Sequence, residues 1–372
     1  MRILCRFCNS GIWLIFAGLT LAPATVARSS SANLRTALAG IRRQEMAFHN
    51  IQITAHYQST VRQQKKPAMT VAGYLDLTIT MENIPAGRFT VVVSKEVGHA
   101  VGGTSPYYVQ SYKGAFNGRV AEMITTREGP LGGPLINPRL GGIWGKAPAE
   151  LTTLRGCAGW TATIFGAPLE INPPHHAIYP PLSQLLATPW GKWHTHCTIV
   201  HSRNGKKWYE LSRYFPLGRF VLRLNPRKGF SLVRLTEFYW HVDPKYLPKR
   251  GAFPPLFRHP CRTIVASNFD QPMSGVFYPR KVVETVFDPL LHGSGIIAVN
   301  TVAVSRIMIN VSTKPDNYQL DFPAGTRVTD SSTGRVIQIG GTPKQQMKQI
   351  EKAVAAARKE VATQPARKGG GK

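Results

Sequence analysis

Strict alternation of apolar and polar residues is the feature that most limits how this chain can fold. Residues 75–82 read Leu-Asp-Leu-Thr-Ile-Thr-Met-Glu, and the same period of two recurs around Ile51 and Ile53 and around Phe89 and Val91. Because successive side chains of a strand point to opposite faces, this pattern predicts strands with one apolar and one polar face. An antiparallel sheet that buries a single face follows from it.

A second series of strands is predicted from Trp193 onward. The Asn204-Gly205 pair predicts a tight hairpin, and Asn225–Gly229 (Asn-Pro-Arg-Lys-Gly) predicts another turn between strands. The predicted strands of this series are 193–202, 206–214, 218–225, 230–242, 275–287, 296–311, 317–322 and 327–339.

Helices are predicted at both ends of the strand series. The spacing of Leu34, Leu38, Ile41 and Met46 predicts an amphipathic helix over 34–48. Thr342-Pro343 predicts the start of a C-terminal helix over 342–363.

Between the two strand series the pattern is weaker. A short helix is predicted at 182–186, strands at 107–112 and 119–126, and a glycine- and proline-rich loop at 129–142. Loop insertions are expected near 127–192 and 243–270, within one β-rich domain over 28–341, and the basic tail 364–372 is expected to be disordered.

The first 27 residues have the layout of a secretory signal peptide. Arg2 and Arg6 precede an apolar run, Gly11–Ala22, and small residues follow up to Ala27. A run of 12 residues is shorter than the about 20 that a membrane-spanning helix needs. We therefore expect cleavage of residues 1–27 and an extracytoplasmic protein, periplasmic or secreted.

The formal charge is +27, from 46 basic and 19 acidic residues. Outside the cytoplasm, the polyanions available to such a chain are lipid headgroups and acidic glycans, so an anionic membrane or envelope surface is a possible partner and nucleic acid is not expected. Solvated basic faces explain the same charge equally well.

Three cysteines follow the predicted leader: Cys157, Cys197 and Cys261. One disulfide with one free thiol, or three buried thiols, both fit an odd number outside the cytoplasm. The pairing is left open by the sequence.

Three motifs in the second half of the chain carry a family resemblance. They are Leu224-Asn-Pro-Arg-Lys-Gly-Phe230, Gly275-Val-Phe-Tyr-Pro279 and Leu320-Asp-Phe-Pro-Ala-Gly-Thr-Arg-Val-Thr-Asp330. In this order, after an opening helix, they resemble the outer-membrane lipoprotein-sorting-like proteins, in a form common among large secreted bacterial proteins of planctomycete type. The resemblance covers roughly residues 34–340. It implies an α+β fold in which a curved antiparallel sheet forms an unclosed half-barrel packed on helices. It also implies acyl chains of lipids or lipoproteins as ligands.

The apolar positions of the first strands are the candidate ligand-binding residues. If helices cover the apolar face only partly, these side chains line a cavity; if helices cover it fully, they are core, which is the commoner fate of such residues. The candidates are Leu75, Leu77, Ile79, Phe89, Val91 and Val93.

Catalytic and metal chemistry find little support in the sequence. His194 and His196 share one side of a predicted strand, but no carboxylate at ligand spacing accompanies them, and a zinc site needs three or four ligands. The chain has no Gly-x-Ser-x-Gly, His-Glu-x-x-His or phosphate-loop motif. The basic aromatic stretches 206–209 and 213–215 fit glycan binding or, more simply, strand residues whose charged ends reach water.

The sequence thus predicts a non-enzymatic binding protein without cofactor or metal that holds a lipid or lipidated protein. The alternative is a basic structural protein of the cell envelope, bound to anionic surfaces.

Overall fold

The computed structural model describes the protein over most of its predicted strands. The described residues are 31–47, 49–62, 69–82, 88–98, 108–117, 121–130, 140–144, 182–187, 194–202, 204–215, 218–239, 259–288, 295–314, 318–330, 334–340, 342, 344–346, 348–352 and 355. The predicted leader, the tail 364–372 and Cys157 lie outside them.

Strands dominate the described part of the chain. The helices are α1 (Ser31–Met46), α2 (Leu182–Ala187) and a single 3₁₀ turn, η1 (Pro226–Lys228). The first six strands are β1 (Asn50–Arg62), β2 (Met69–Glu82), β3 (Phe89–Gly98), β4 (Tyr108–Phe116), β5 (Ala121–Pro130) and β6 (Leu140–Trp144). The remaining nine are β7 (His196–His201), β8 (Lys207–Phe215), β9 (Gly218–Asn225), β10 (Ser231–Tyr239), β11 (Arg262–Met273), β12 (Val276–Phe287), β13 (Ile296–Ile309), β14 (Arg327–Asp330) and β15 (Val336–Gln338).

All of these strands belong to one curved, unclosed sheet. Their order is β15-β14-β6-β5-β4-β3-β2-β1-β13-β12-β11-β10-β9-β8-β7, so β15 and β7 form its two edges. The two strand series are joined where β1 pairs with β13, from Ile51 opposite Ile309 to Val61 opposite Ala298. The predicted curved, unclosed sheet is confirmed, and few helices accompany it in the described part of the chain.

One pair of strands departs from the predicted antiparallel arrangement. β14 runs parallel to β6, with Arg327 opposite Leu140 and Asp330 opposite Ile143. The sheet is therefore mixed, and the loop predicted at 129–142 is wrong where β5 extends to Pro130 and β6 begins at Leu140. The alternation of apolar and polar residues is weak in β6 because Gly141 has no side chain. The Phe322 ring packs where a side chain of residue 141 would lie.

The predicted turns are formed, whereas one predicted strand is not. Gly205 adopts φ +70° between β7 and β8, and Gly229 adopts φ +58° at the end of η1. Both values lie in the left-handed region that glycine tolerates best. The predicted strand 317–322 is wrong, because residues 318–323 lack strand structure.

The predicted C-terminal helix over 342–363 is seen only in part. Residues 344–346 and 348–352 are helical, and Gln346 and Ile350 are buried in this segment. Residues 356–363 lie outside the described part of the chain.

Two hydrophobic cores lie on opposite faces of the sheet. The larger one, the inner core, runs from Met123 on β5 across to Cys197 on β7 and includes Ala37 and Ile41 of α1. The smaller one, the outer core, consists of Ile124, Phe322, Val328, Ile339 and Ile350. Because Met123 and Ile124 are consecutive residues of one strand, their side chains point to opposite faces. We call the face that carries the larger core the inner face.

Candidate functional site on the inner face

Five of the six predicted ligand-binding residues meet on the inner face. Leu77 lies opposite Val93 and Ile79 opposite Val91 across β2 and β3. Leu75, Leu77, Ile79, Val91 and Val93 are at most 3% exposed and belong to the inner core. Phe89 occupies the first position of β3, and its side chain lies outside the described part of the structure. That these residues contact a ligand stays a prediction.

Helix α1 packs on the inner face near the β7 edge. It contacts α2, β7 and β8, and Ala37 and Ile41 enter the inner core. Gly40 lies so close to the Phe230 ring that a side chain at this position would overlap it. This close approach fixes the helix against the turn between β9 and β10.

Gln44 of α1 joins two of the sequence motifs that carry the family resemblance. Its Nε2 donates to the carbonyl oxygens of Lys228 (2.8 Å) and Gly229 (2.5 Å), and its Oε1 accepts from the backbone N–H of Phe277 (3.4 Å). The first motif therefore forms the turn that receives α1, and the second supplies a backbone donor beside it. Both lie at the same end of the sheet.

Glu45 holds α2 against α1. Its carboxylate accepts from the backbone N–H of Ser183 (3.1 Å) and from the Ser183 hydroxyl. Burial raises the pKa of Glu45, although the Ser183 bonds oppose this shift. The two described helices thus form one small unit.

A row of polar side chains, six of them buried and two half-buried, crosses the inner face at the end of the strands away from the Gln44 contacts. We call it the polar belt; it consists of Ser59, Glu96, Gln110, Arg213, Glu237, Arg262, Glu284 and Asn300. Eight strands contribute one residue each, namely β1, β3, β4, β8, β10, β11, β12 and β13, and apolar positions on β2 and β9 lie between them.

The centre of the belt is a continuous hydrogen-bonded chain. Ser59 Oγ donates to Asn300 Oδ1 at 2.7 Å, and Asn300 Nδ2 donates to Glu284 Oε2 at 2.5 Å. Arg262 then bonds Glu284 through Nε and reaches Glu237 Oε1 through a terminal nitrogen at 3.4 Å. The chain joins β1, β13, β12, β11 and β10 through their side chains.

The two ends of the belt lie on either side of this chain. On β3, Glu96 lies opposite both Leu75 and Gln110, and Gln110 Nε2 donates to Glu96 Oε2 at 2.8 Å. On β8, Arg213 lies opposite Phe220, which lies opposite Glu237 on β10. Arg213 is 2% exposed, and burial lowers the pKa of its guanidinium.

The belt was not predicted from the sequence, although the sequence contains a signal for it. Arg213 follows Tyr209 and Leu211 at intervals of two, and Glu237 and Glu284 follow Leu235 and Val282 in the same way. These spacings place each charged residue on the apolar face. The prediction that the basic stretch 213–215 directs its charge to water is wrong for Arg213, since that side chain is buried on the inner face.

The histidine pair is not assembled into a metal site in the described structure. His196 begins β7 with an exposed side chain, and His194 precedes the strand and is also exposed. Among the described residues, no group of three or more His, Cys, Asp or Glu side chains is placed to hold a metal ion.

The two described cysteines are not bonded to each other. Cys197 and Cys261 are both buried, and burial raises the pKa of each to about 11. No helix within the described residues is long and apolar enough to cross a membrane.

Comparison with known proteins gives structural likenesses only. No protein-family model and no curated protein matches the sequence. The structure is similar to a LolA superfamily protein from Nitrosomonas europaea (12% identity, TM-score 0.38, covering 78% of this chain and 99% of that chain). It is similar to a DUF1329 family protein from Desulfovibrio piger (8% identity, TM-score 0.37, 77% and 97%). It is also similar to a domain from Vibrio parahaemolyticus that is assigned to outer membrane lipoprotein sorting (7% identity, TM-score 0.36, 77% and 97%).

Proposed function

We propose that this chain is an extracytoplasmic, non-enzymatic binding protein that holds acyl chains of a lipid or a lipidated protein on the inner face of its open sheet. The observation that carries the proposal is the division of that face into an apolar floor and a polar belt. We define the apolar floor as Leu75, Leu77, Ile79, Val91 and Val93, which all lie in the inner core.

The apolar floor has the dimensions and chemistry for an extended hydrocarbon chain. Leu75 and Ile79 are four residues apart on one strand, or about 13 Å at the rise of a β-strand. Burying apolar surface contributes about 25 cal/mol per Å². Because the floor residues are at most 3% exposed without a ligand, this gain comes from the apolar surface of the hydrocarbon chain itself. This binding needs no reaction at the site.

The placement of α1 supports the same function. The helix is fixed near the β7 edge through Gln44 and Gly40, whereas the apolar floor lies on β2 and β3, beyond the junction of β1 with β13. We propose that a ligand occupies the inner face beside α1.

Bound lipid and acyl uptake test the proposal directly. Protein purified without detergent is extracted and its lipids are identified by mass spectrometry, and the delipidated protein is titrated with a fluorescent fatty acid. Copurified lipid and saturable uptake are expected. Absence of both would contradict the proposal.

Neighbouring valines on opposite faces provide matched variants. Val93→Phe enlarges a side chain that is 1% exposed on the inner face, whereas Val92→Phe enlarges one that is 37% exposed on the outer face. We expect Val93→Phe to weaken probe binding at least about tenfold and Val92→Phe to leave it unchanged, with circular dichroism showing both folded. Equal binding by the two variants would place the ligand elsewhere.

A further inference from the structure

We propose that the polar belt binds the head of the ligand and selects a neutral, hydroxyl-bearing head, such as that of a monoacylglycerol, over a charged one. This inference rests on the proposed function and adds to it the orientation and the head-group class of the ligand.

The stability of the fold does not explain the polar belt. A buried ion pair often contributes less to the free energy of unfolding than well-packed apolar side chains of the same volume, because removing two charges from water is costly. Here Glu237 and Glu284 are both 4% exposed and share one arginine, Arg262. Apolar residues would close this end of the inner core at lower free energy, so the belt points to a role in binding.

The polar belt lies level with the Leu75 end of the apolar floor. Glu96 is directly opposite Leu75, the first residue of the apolar floor, and Ser59 and Asn300 face each other on the neighbouring strand pair. An acyl chain that lies along the floor toward Ile79 therefore places its polar end at the belt. The opposite orientation would bury the head against apolar side chains.

The charged groups of the central chain are paired within the protein. Each charged group in the central chain already has a partner: Glu284 accepts from Arg262 and Asn300, and Glu237 accepts from Arg262 and, at 3.4 Å, from the Tyr239 hydroxyl. On β3, Glu96 accepts from Gln110. A charged head would have to compete with these internal partners, and its desolvation would not be repaid.

Asn300 keeps donor and acceptor capacity for a ligand. An amide side chain has two N–H donors and two acceptor sites, and Asn300 uses one donor for Glu284 and one acceptor site for Ser59. Asn300 is also half-buried, as is Arg262, whereas Ser59, Glu237 and Glu284 of the same chain are buried. The remaining donor and acceptor of Asn300 match the hydroxyl and ester groups of a glycerol head.

The test compares three amphiphiles that carry the same oleoyl-length chain: monoolein, with a neutral head; oleic acid, anionic at pH 8.5; and oleylamine, cationic. Each is titrated below its aggregation limit against the fluorescent fatty acid, at an ionic strength high enough to screen the basic surface. We expect monoolein to displace the probe at a concentration at least about tenfold lower than either charged amphiphile.

Two variants on β13 assign the selectivity to the belt. Asn300→Ala removes the amide from the inner face, and Thr301→Ala changes the next residue, which points to the outer face. We expect Asn300→Ala to weaken monoolein up to about tenfold, the value of about one hydrogen bond, with oleic acid little changed. Thr301→Ala should behave as the unmodified protein.

The outcomes separate the two proposals. If none of the three amphiphiles displaces the probe and no lipid copurifies, the proposed function fails and this inference fails with it. If all three bind with similar affinity, if a charged head binds best, or if Asn300→Ala retains the preference for monoolein, the belt does not select the head and the acyl-binding proposal stands alone.

Discussion

The inner core and the outer core are built on the two faces of the same sheet, but in different ways. The inner core is formed by long strands with regular alternation, and most of its neighbours are adjacent hairpin partners. The outer core unites Ile124 of β5 with Phe322, Val328, Ile339 and Ile350, which come from far along the chain. An open sheet therefore needs a distant segment to cover the outer face near one edge.

The two cores also differ in how they treat a buried carboxylate. In the polar belt, Glu284 is bonded by an arginine and an amide. Under the C-terminal segment, Glu122 is 1% exposed; its Oε2 accepts from the Leu320 N–H at 2.8 Å, whereas its Oε1 has no hydrogen-bond partner among the residues that the structure describes. Buried carboxylates of the inner face are thus paired, whereas that of the outer core is bonded, in the described part of the chain, through one oxygen only.

The largest expected effect comes from placing a charge in the inner core. Val91 is fully buried and Val92 is 37% exposed, so Val91→Asp and Val92→Asp test the two faces of β3 at adjacent positions. An unpaired buried carboxylate should lower the free energy of unfolding by more than about 4 kcal/mol and prevent folding at 25 °C, with the exposed variant nearly unchanged. Thermal melts followed by circular dichroism measure the difference. Equal stability of the two variants would be incompatible with the assigned faces.

Truncation of Phe322 tests whether the outer core unfolds separately. Phe322 is fully buried, its N–H donates to Gln346 Oε1 and its carbonyl accepts from Gln346 Nε2. Phe322→Ala should remove about 3–5 kcal/mol of local stability. Limited proteolysis should then cut residues 318–352 faster, while the main thermal transition changes little.

Asp321→Ala is the matched control for this variant, because Asp321 is exposed and adjacent. It should keep the resistance to proteolysis. A large drop in the main transition for Phe322→Ala would mean that the two cores unfold as one unit.

The inner core could be predicted from the sequence because its signal is local. Alternation of two residues identified Leu75, Leu77, Ile79, Val91 and Val93 without knowledge of any neighbour. The parallel pairing of β14 with β6 could not be predicted, since Arg327 and Leu140 are joined only by the folded chain. The inward position of Glu96 could not be predicted for another reason. The register of β3 with β4 is irregular between Val93 and Glu96, and this changes which residues face inward. Strict alternation does not anticipate such a change.

The outer core predicts a pH dependence of stability. Burial raises the pKa of Glu122 from its ordinary value near 4.5 to about 7, and the charge of Glu351 adds to this shift. The folded state therefore binds the proton more tightly than the unfolded state. The stabilisation is complete below about pH 4.5 and is lost as the pH rises through about 7.

Glu122→Gln isolates this contribution. Relative to the unmodified protein, the variant should gain about 3 kcal/mol in the free energy of unfolding between pH 4.5 and pH 8, from the shift in pKa. Glu128→Gln changes an exposed carboxylate of the same strand and should follow the unmodified protein at every pH. The free energy of unfolding is measured by urea titration at each pH. The same pH dependence in all three proteins would refute the assignment to Glu122.

The smallest expected effect is on the chemical labelling of the Cys197 thiol. This labelling tests whether loss of the outer core changes the inner core. Cys197 belongs to the inner core, and its raised pKa of about 11 leaves little of the reactive thiolate at pH 8. In a chain whose other cysteines (Cys5, Cys8, Cys157 and Cys261) are replaced by serine, we expect a thiol reagent to label Cys197 only after denaturation. Adding Phe322→Ala should leave this protection unchanged, because the substitution opens the opposite face of the sheet. Rapid labelling in that variant would show that the C-terminal segment supports the inner core through the sheet, so that loss of the outer core exposes the face proposed to bind the ligand.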